Sequence, residues 1–238
     1  MSGRSAILFD LDGTLLPMDR EEFVRAYLPG ISAVAARLGD PRKIADCILK
    51  GSYAMVKSTD PAKTLETVFW EAFEALSGIS RSDSERIFND YYLSPAFDAL
   101  SALTPAEPLS PVIMAEAARK GCRVILATSP LFPRVATVKR IEWAGLKPSD
   151  FELITTYEDF HAAKPNREYY EELLQKTGLK ASECVMVGND AREDLPAPGA
   201  LGMETFLVRN HAIIPEGMAY RCDHEGTYED LLEFIKGL

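Results

Sequence analysis

Residues 6–14 read Ala6-Ile7-Leu8-Phe9-Asp10-Leu11-Asp12-Gly13-Thr14: four apolar residues stopped by an acid, a second acid two places on, then a Gly-Thr pair. A short unbroken apolar run is the pattern of a strand buried on both faces, as in a parallel sheet. Segments 123–127 (RVILA), 151–155 (FELIT) and 184–187 (CVMV) repeat it, and 204–208 (ETFLV) makes a fifth. Helical patterns separate them. Segment 111–120 opens on Pro111 and is stopped by Gly121, 133–143 opens on Pro133 and ends before Gly145, and 166–177 puts Tyr170, Leu173 and Leu174 on one face ahead of Gly178. Strands alternating with helices of this length predict an α/β fold built on a doubly wound parallel sheet with right-handed crossovers. Ligands of such sheets bind beyond the carboxyl ends of the strands.

Between the first strand and the 111–120 helix lie roughly 90 residues with no strand candidate, where an ordinary connection takes about 2 to 6. This stretch reads as an inserted helical module with helices at 20–38 (broken at Pro29-Gly30), 41–57, 61–77 and 82–93. In the third, Leu65, Val68, Phe69, Ala72, Phe73 and Leu76 form an apolar stripe at helical spacing, the core of a small bundle rather than a cofactor box. In the fourth, Ser82 and Glu85 have the spacing of a capping box. The Pro-rich segment 104–111 (TPAEPLSP) reads as the return linker. The expected division is a core of 1–16 and 105–238 and a helical domain of 17–104. The tail after Val208 is expected to be a loop and one closing helix at 228–235.

The chain has 238 residues, near the size at which a single core begins to divide. At 47% hydrophobic and 26% charged it is globular, not disordered. A formal net charge of -10 repels phosphate backbones and anionic lipid, so neither nucleic acid nor a membrane surface is an expected partner. Cys47, Cys122, Cys184 and Cys222 stand far apart with no metal-binding spacing, as expected of reduced thiols in a cytoplasmic protein. No apolar stretch approaches the roughly 18 residues of a membrane span. The three histidines have no ligand spacing.

Polar residues of the kind phosphate chemistry needs follow four of the strands. Asp10 and Asp12, two apart, project their carboxylates to one side, so that one can attack while the other handles protons. Gly13-Thr14 allows a turn whose amides face an anion. Thr128-Ser129 supplies hydroxyl donors, Lys164-Pro165 a cation at the threshold of a helix, and 188–194 (GNDARED) a glycine turn with acids able to reach a divalent cation. Each alone has an ordinary structural explanation as a strand terminus, a helix cap, a solvated lysine or a surface loop. All four together, in this order and at strand ends, point to a site.

These motifs, across the whole chain, resemble the haloacid dehalogenase superfamily: DxD with Gly-Thr, a Thr or Ser after the second strand, a Lys, and an acidic loop. The resemblance implies a Rossmann-like core with an all-helical cap of the C1 type. Dehalogenases of the family lack the second acid, so Asp12 favours phosphoryl chemistry. Two positions depart from the pattern: Ser129, where relatives more often carry Asn, and Asn189, where they usually carry Asp.

The activity implied is a Mg2+-dependent phosphatase hydrolysing a small phosphorylated metabolite through an aspartyl-phosphate. Asp10 is then the nucleophile, Asp12 the general acid and base, and Thr128, Ser129 and Lys164 the phosphate-binding residues. Asp10, Asp12 and Asn189 or Asp190 hold the metal, with Thr14 and Asp194 supporting them from behind. The charge of the cation favours Asp190, whereas counting from Gly188 places Asn189 at the usual ligand position. The protein is expected to be a monomer or homodimer. Alternatives are a phosphomutase of the same superfamily, a receiver-like phospho-aspartate signalling protein and a non-catalytic binding protein. Arg25, Arg42, Lys43, Lys50, Tyr53 and Lys57 of the insertion are candidates to face a substrate, although a solvated helix face is the commoner role.

Overall fold

In the computed structural model, which describes residues 5–238, β1 (Ala6–Phe9) lies at the centre of a six-stranded, all-parallel sheet. Residues 1–4, assigned to the core from sequence, lie outside the described residues. The other strands are β2 (Arg123–Leu126), β3 (Leu153–Ile154), β4 (Cys184–Gly188), β5 (Glu204–Val208) and β6 (His224–Gly226), in the spatial order β3-β2-β1-β4-β5-β6. Side chains alternate across the pleat. Ile7 and Phe9 enter one apolar cluster and Ala6 and Leu8 the other, so β1 is buried on both faces, as its unbroken apolar run predicts.

The insertion contains α1 (Arg20–Val34), α2 (Pro41–Lys57), α3 (Leu65–Ser77), α4 (Arg81–Tyr92) and the short α5 (Pro95–Asp98). Around the sheet lie α6 (Leu109–Arg119), α7 (Arg134–Trp143), α8 (Arg167–Thr177), α9 (Pro196–Leu201) and α10 (Tyr228–Gly237). In α3 the predicted stripe packs as expected at Leu65, Phe69 and Phe73, which are buried; Trp70 and Phe88 complete an aromatic cluster with them. No helix among the described residues is long and apolar enough to cross a membrane.

Several boundaries differ from the expectation. α1 runs through Pro29-Gly30 without a break. Proline removes one helical hydrogen bond, but Phe23, Tyr27 and Ile31 are buried on either side of it, and their packing keeps the segment helical. α3 starts at Leu65, because the Thr64 hydroxyl accepts the amide of Thr67 at 3.3 Å. The cap of α4 is Ser80, whose Oγ accepts the Asp83 amide, not Ser82; Glu85 pairs with Arg81 instead of reaching back. α6 begins two residues before Pro111. β6 is the largest omission: His-Glu-Gly offers no apolar run, and only pairing with β5 makes it a strand.

Candidate active site

β1 lies between β2 and β4, in register at Phe9 with Leu126 on one side and Val187 on the other. The pairing extends one step further on each side: the Ala127 amide donates to the Phe9 carbonyl at 2.7 Å and the Asp10 amide to the Val187 carbonyl at 2.9 Å. Asp10 therefore emerges at the middle of the sheet's carboxyl edge, flanked by Thr128 and Gly188. This is where the strand order reverses and where such sheets open a crevice.

The turn after Asp10 closes on itself, with the Gly13 amide donating to the Leu16 carbonyl and the Thr14 amide to the Leu11 carbonyl. Gly13 has φ +86°, and a Cβ there would stand 2.1 Å from Nδ2 of Asn189, so both conformation and space require glycine. Across the crevice a Cβ on Gly188 would meet the Asp194 carboxylate at 2.2 Å, which lets the acidic loop fold tightly against β4.

Lys164 is 1% exposed and bridges two acids, with Nζ 2.9 Å from Asp10 Oδ1 and 2.7 Å from Asp194 Oδ1. Burial disfavours its charge, but Asp10 and Asp194 outweigh that and hold its pKa well above the ordinary lysine value. The other oxygen of Asp194 accepts the Asp190 amide at 2.9 Å. The Thr14 hydroxyl stands 3.3 Å from both Asp10 Oδ2 and Asn189 Oδ1, and donates to one or the other.

Asp12 is held by a residue that the sequence reading missed. Arg140, from the middle of α7, is buried and pairs through Nη1 with Asp12 Oδ2. Its guanidinium lies 4.3 Å from the Phe132 ring centroid, and Nε reaches the Ala136 carbonyl at 3.4 Å. Asp12 Oδ1 is buried without a hydrogen-bond partner among the described residues, and so is Ser129 Oγ. Thr128 is fixed through its carbonyl, which accepts from Thr155 Oγ1 at 2.6 Å and Tyr169 Oη at 3.0 Å.

In the acidic loop the two candidate ligands differ. Asp190 lines the same cavity as Asp10 and Asp12. Its Oδ1 accepts the amides of Arg192 and Glu193, and its Oδ2 pairs with Arg20, the first residue of α1, at 3.1 Å. Arg20 also reaches Glu193 at 3.2 Å, a second cation that sequence did not single out. Asn189 donates through Nδ2 to the His211 carbonyl at 2.7 Å, which turns its Oδ1 toward Thr14. The post-β5 segment thus braces the loop, with Ile213 and Asn189 also joined backbone to backbone.

One cavity of about 180 Å3 gathers Asp10, Asp12, Thr128, Ser129, Asp190 and Asp194 with Arg20, Arg140 and Glu193. Lys164 enters through its two ion pairs and Thr14 and Asn189 through hydrogen bonds, so the structure brings every sequence-selected site residue together. Five carboxyl groups there face three cations, an acid-rich lining that suits a divalent cation. Asp12, Glu193 and Asp194 all lie above the ordinary carboxylate pKa, Asp194 pushed up to about 7. Burial is the main cause in each; Arg140, Arg20 and Lys164 respectively pull downward, and neighbouring carboxylates push further up. Among the described residues no three His, Cys, Asp or Glu side chains converge as a ready-made metal cluster. Two carboxylates supplemented by backbone or amide oxygens are the donor set present, and hard oxygen donors of this kind fit Mg2+.

None of Arg25, Arg42, Lys43, Lys50, Tyr53 and Lys57 lines this cavity. Lys50 pairs with Asp46, and Lys57 lies over the ring of an exposed Tyr53, both on a solvated face of α2. His161 is spent on Glu172 and His224 on Glu204.

Residues 5–202 match the family model described as haloacid dehalogenase-like hydrolase. The chain belongs to that family, and it is a hydrolase. It is 26% identical over 213 residues to a ribulose-1,5-bisphosphate 5-phosphatase of Halopiger xanaduensis, covering 85% of this chain and 84% of that protein. A phosphoglycolate phosphatase of Pectobacterium atrosepticum is 27% identical over 197 residues, covering 82% and 76%. Among solved structures, a HAD phosphatase from Thermococcus onnurineus superposes with a TM-score of 0.62 at 19% identity over 98% of each chain. The L-2-haloacid dehalogenase of Xanthobacter autotrophicus gives 0.60 at 16% identity, covering 98% of this chain and 99% of that one. These likenesses bear out the α/β core expected from sequence.

Proposed function

We propose that the protein is a Mg2+-dependent phosphatase of small phosphate monoesters, with Asp10 as nucleophile and Asp12 as general acid and base. The observation that carries this reading is the division of labour between the two acids. Asp10 is clamped by Lys164, while Asp12 keeps one buried oxygen unpaired in the cavity that the equally unpaired Ser129 also lines. A substrate phosphoryl group is what such unpaired groups would serve.

In the first step an Asp10 oxygen attacks phosphorus in line, the bond from phosphorus to the ester oxygen breaks, and Asp12 gives its proton to the departing alcohol. Burial keeps Asp12 more basic than an ordinary carboxylate, which suits it to carry that proton. In the second step Asp12 takes a proton from a water that attacks the same phosphorus, and Asp10 is released with inorganic phosphate. Ser129, Thr128 and Lys164 donate to the phosphoryl oxygens as charge redistributes over them. Asp194 holds Lys164 in place from behind, and Thr14 supports Asp10. Asp10 and Asp190 through their carboxylates and Asp12 through its backbone carbonyl are the residues to hold Mg2+, with Asn189 offering one neutral oxygen and the Asp12 carboxyl left free to move protons. When bound, the ion offsets the repulsion between carboxylate and phosphate dianion. The insertion, residues 17–104, acts as the cap: α1 contributes Arg20, Phe23 and Val24 to the cavity wall and excludes bulk water from it.

The experiment is inorganic phosphate release from a panel of monoesters with Mg2+, comparing the unsubstituted protein with Asp10→Asn. Release that disappears in Asp10→Asn is expected. Isomerised product without free phosphate would replace this reading with a phosphomutase, and undiminished release by Asp10→Asn would end the covalent mechanism.

A further inference from the structure

A second cavity, of about 160 Å3, opens beside the acid cavity, between the helices of the insertion and the loop after β2. Val24, Leu131 and Phe132 belong to the walls of both. The two therefore adjoin along this shared wall. Their linings have opposite chemistry. Among the described residues no charged side chain lines the second cavity; Ile31, Ile48, Phe69, Trp70, Phe88 and Tyr157 set its character. Two of its tyrosines, Tyr27 and Tyr92, bond each other hydroxyl to hydroxyl at 2.6 Å, so their polar ends are already satisfied. The nearest guanidiniums on the acid side are engaged as well, Arg20 with Asp190 and Glu193, Arg140 with Asp12.

We infer, resting on the phosphatase reading, that the leaving group of the substrate carries an uncharged apolar moiety the size of one aromatic ring, seated in this second cavity. Size supports it, since an apolar protein cavity of about 150 Å3 accepts benzene. Charge supports it too. A leaving group bearing a carboxylate or a second phosphate would bring an anion to walls with no cation among the described residues to meet it. The two phosphatases to which the chain is similar are named for substrates that carry a further anionic group, so the inference predicts a specificity different from theirs with the phosphoryl chemistry alike.

The test compares benzyl phosphate, ethyl phosphate and phosphoglycolate as substrates with saturating Mg2+. Benzyl and ethyl alcohols are close in acidity, so their ratio reports binding of the ring. In parallel, calorimetry measures benzylphosphonate against methylphosphonate, neither of which can be hydrolysed. The benzyl compound is expected to lead at least tenfold in kcat/KM and in affinity, the scale on which an apolar pocket discriminates by size. Ile48→Trp, which fills the cavity, should bring both ratios toward one, and Ser52→Phe, from a half-buried position of the same wall, provides the same readout if the first variant does not fold. Equal handling of benzyl and ethyl compounds, or preference for phosphoglycolate, would overturn the inference while leaving the phosphatase reading intact. Tighter binding of benzylphosphonate with no phosphate released from any ester would do the opposite: the cavity assignment would stand and the phosphatase reading would fall.

Discussion

Arg140 and Asp12, 128 residues apart in sequence, form an ion pair in the wall of the acid cavity, with the arginine 1% and the aspartate 27% exposed at the side chain. The pair fixes one carboxylate oxygen of the proposed acid and leaves the other unpaired. On the proposed mechanism Arg140 positions that acid, and Phe132, stacked against its guanidinium, lies in the walls of both cavities.

Replacing Arg140 by Met should slow hydrolysis of ethyl phosphate by about 10- to 100-fold, part of the range that general acid catalysis supplies. Hydrolysis of p-nitrophenyl phosphate should suffer much less, because its leaving group departs without a proton. Arg140→Lys should recover only part of the loss, since one ammonium cannot hold Asp12 and lie flat on Phe132 together. Equal losses on the two esters in a steady-state comparison would show that Arg140 supports the fold rather than the acid.

Asp12→Asn should cost about 10²- to 10⁴-fold with alkyl phosphates, again with a smaller loss for p-nitrophenyl phosphate. Burst kinetics check the assignment: with the activated ester the variant should accumulate phosphorylated Asp10, because breakdown of the intermediate has lost its base. Absence of a burst, with both steps slowed alike, would contradict the double role.

Lys164→Met should destabilise the protein by about 3–5 kcal/mol, since it leaves Asp10 and Asp194 buried without their shared cation. Its pKa lies well above the ordinary lysine value, so the sign is that of a cation gaining partners. The stability it contributes is fully present below the unfolded-state value of about 10.4 and is lost as pH rises through the higher folded-state value. Urea melts of both proteins at neutral pH and near pH 11 should therefore differ most at neutral pH, and an unchanging difference would refute the pairing.

Chelation of Mg2+ should abolish phosphate release, and re-addition should restore it. In a Mg2+ titration Asp190→Ala should shift the half-saturating concentration further than Asn189→Ala, because Asp190 brings a carboxylate to the cavity wall while Asn189 offers only a neutral amide oxygen. The reverse ranking would move the metal's loop ligand to Asn189.

Phe73→Ala should lower stability by about 3–5 kcal/mol. Phe73 is fully buried against Phe69, Trp70 and Phe88, in an apolar cluster that runs on to Ile7 and Phe9 of β1. A loss below about 1 kcal/mol in chemical denaturation would mean that the cluster collapses around the gap.

The sequence by itself determined the central strands, the helical insertion and the residues at the strand ends. Those features are local: an unbroken apolar run buries itself on both faces, and an acid that stops such a run can only emerge at the sheet's edge. Capping was less legible, because Ser80 and Ser82 carry the same side chain and only the folded geometry chose Ser80. β6 was invisible, since its three residues acquire strand character from β5 alone. Arg140 and Arg20 were missed for a related reason. Nothing in a helical segment such as RVATVKRIEW marks one arginine as buried, and only the seating of α7 beside the turn after β1 brings it to Asp12. The apolar cavity, too, belongs to tertiary structure: Val24, Ile48, Trp70 and Phe132 read as core residues one by one, and packing of the insertion over the strand ends is what leaves a ring-sized space among them.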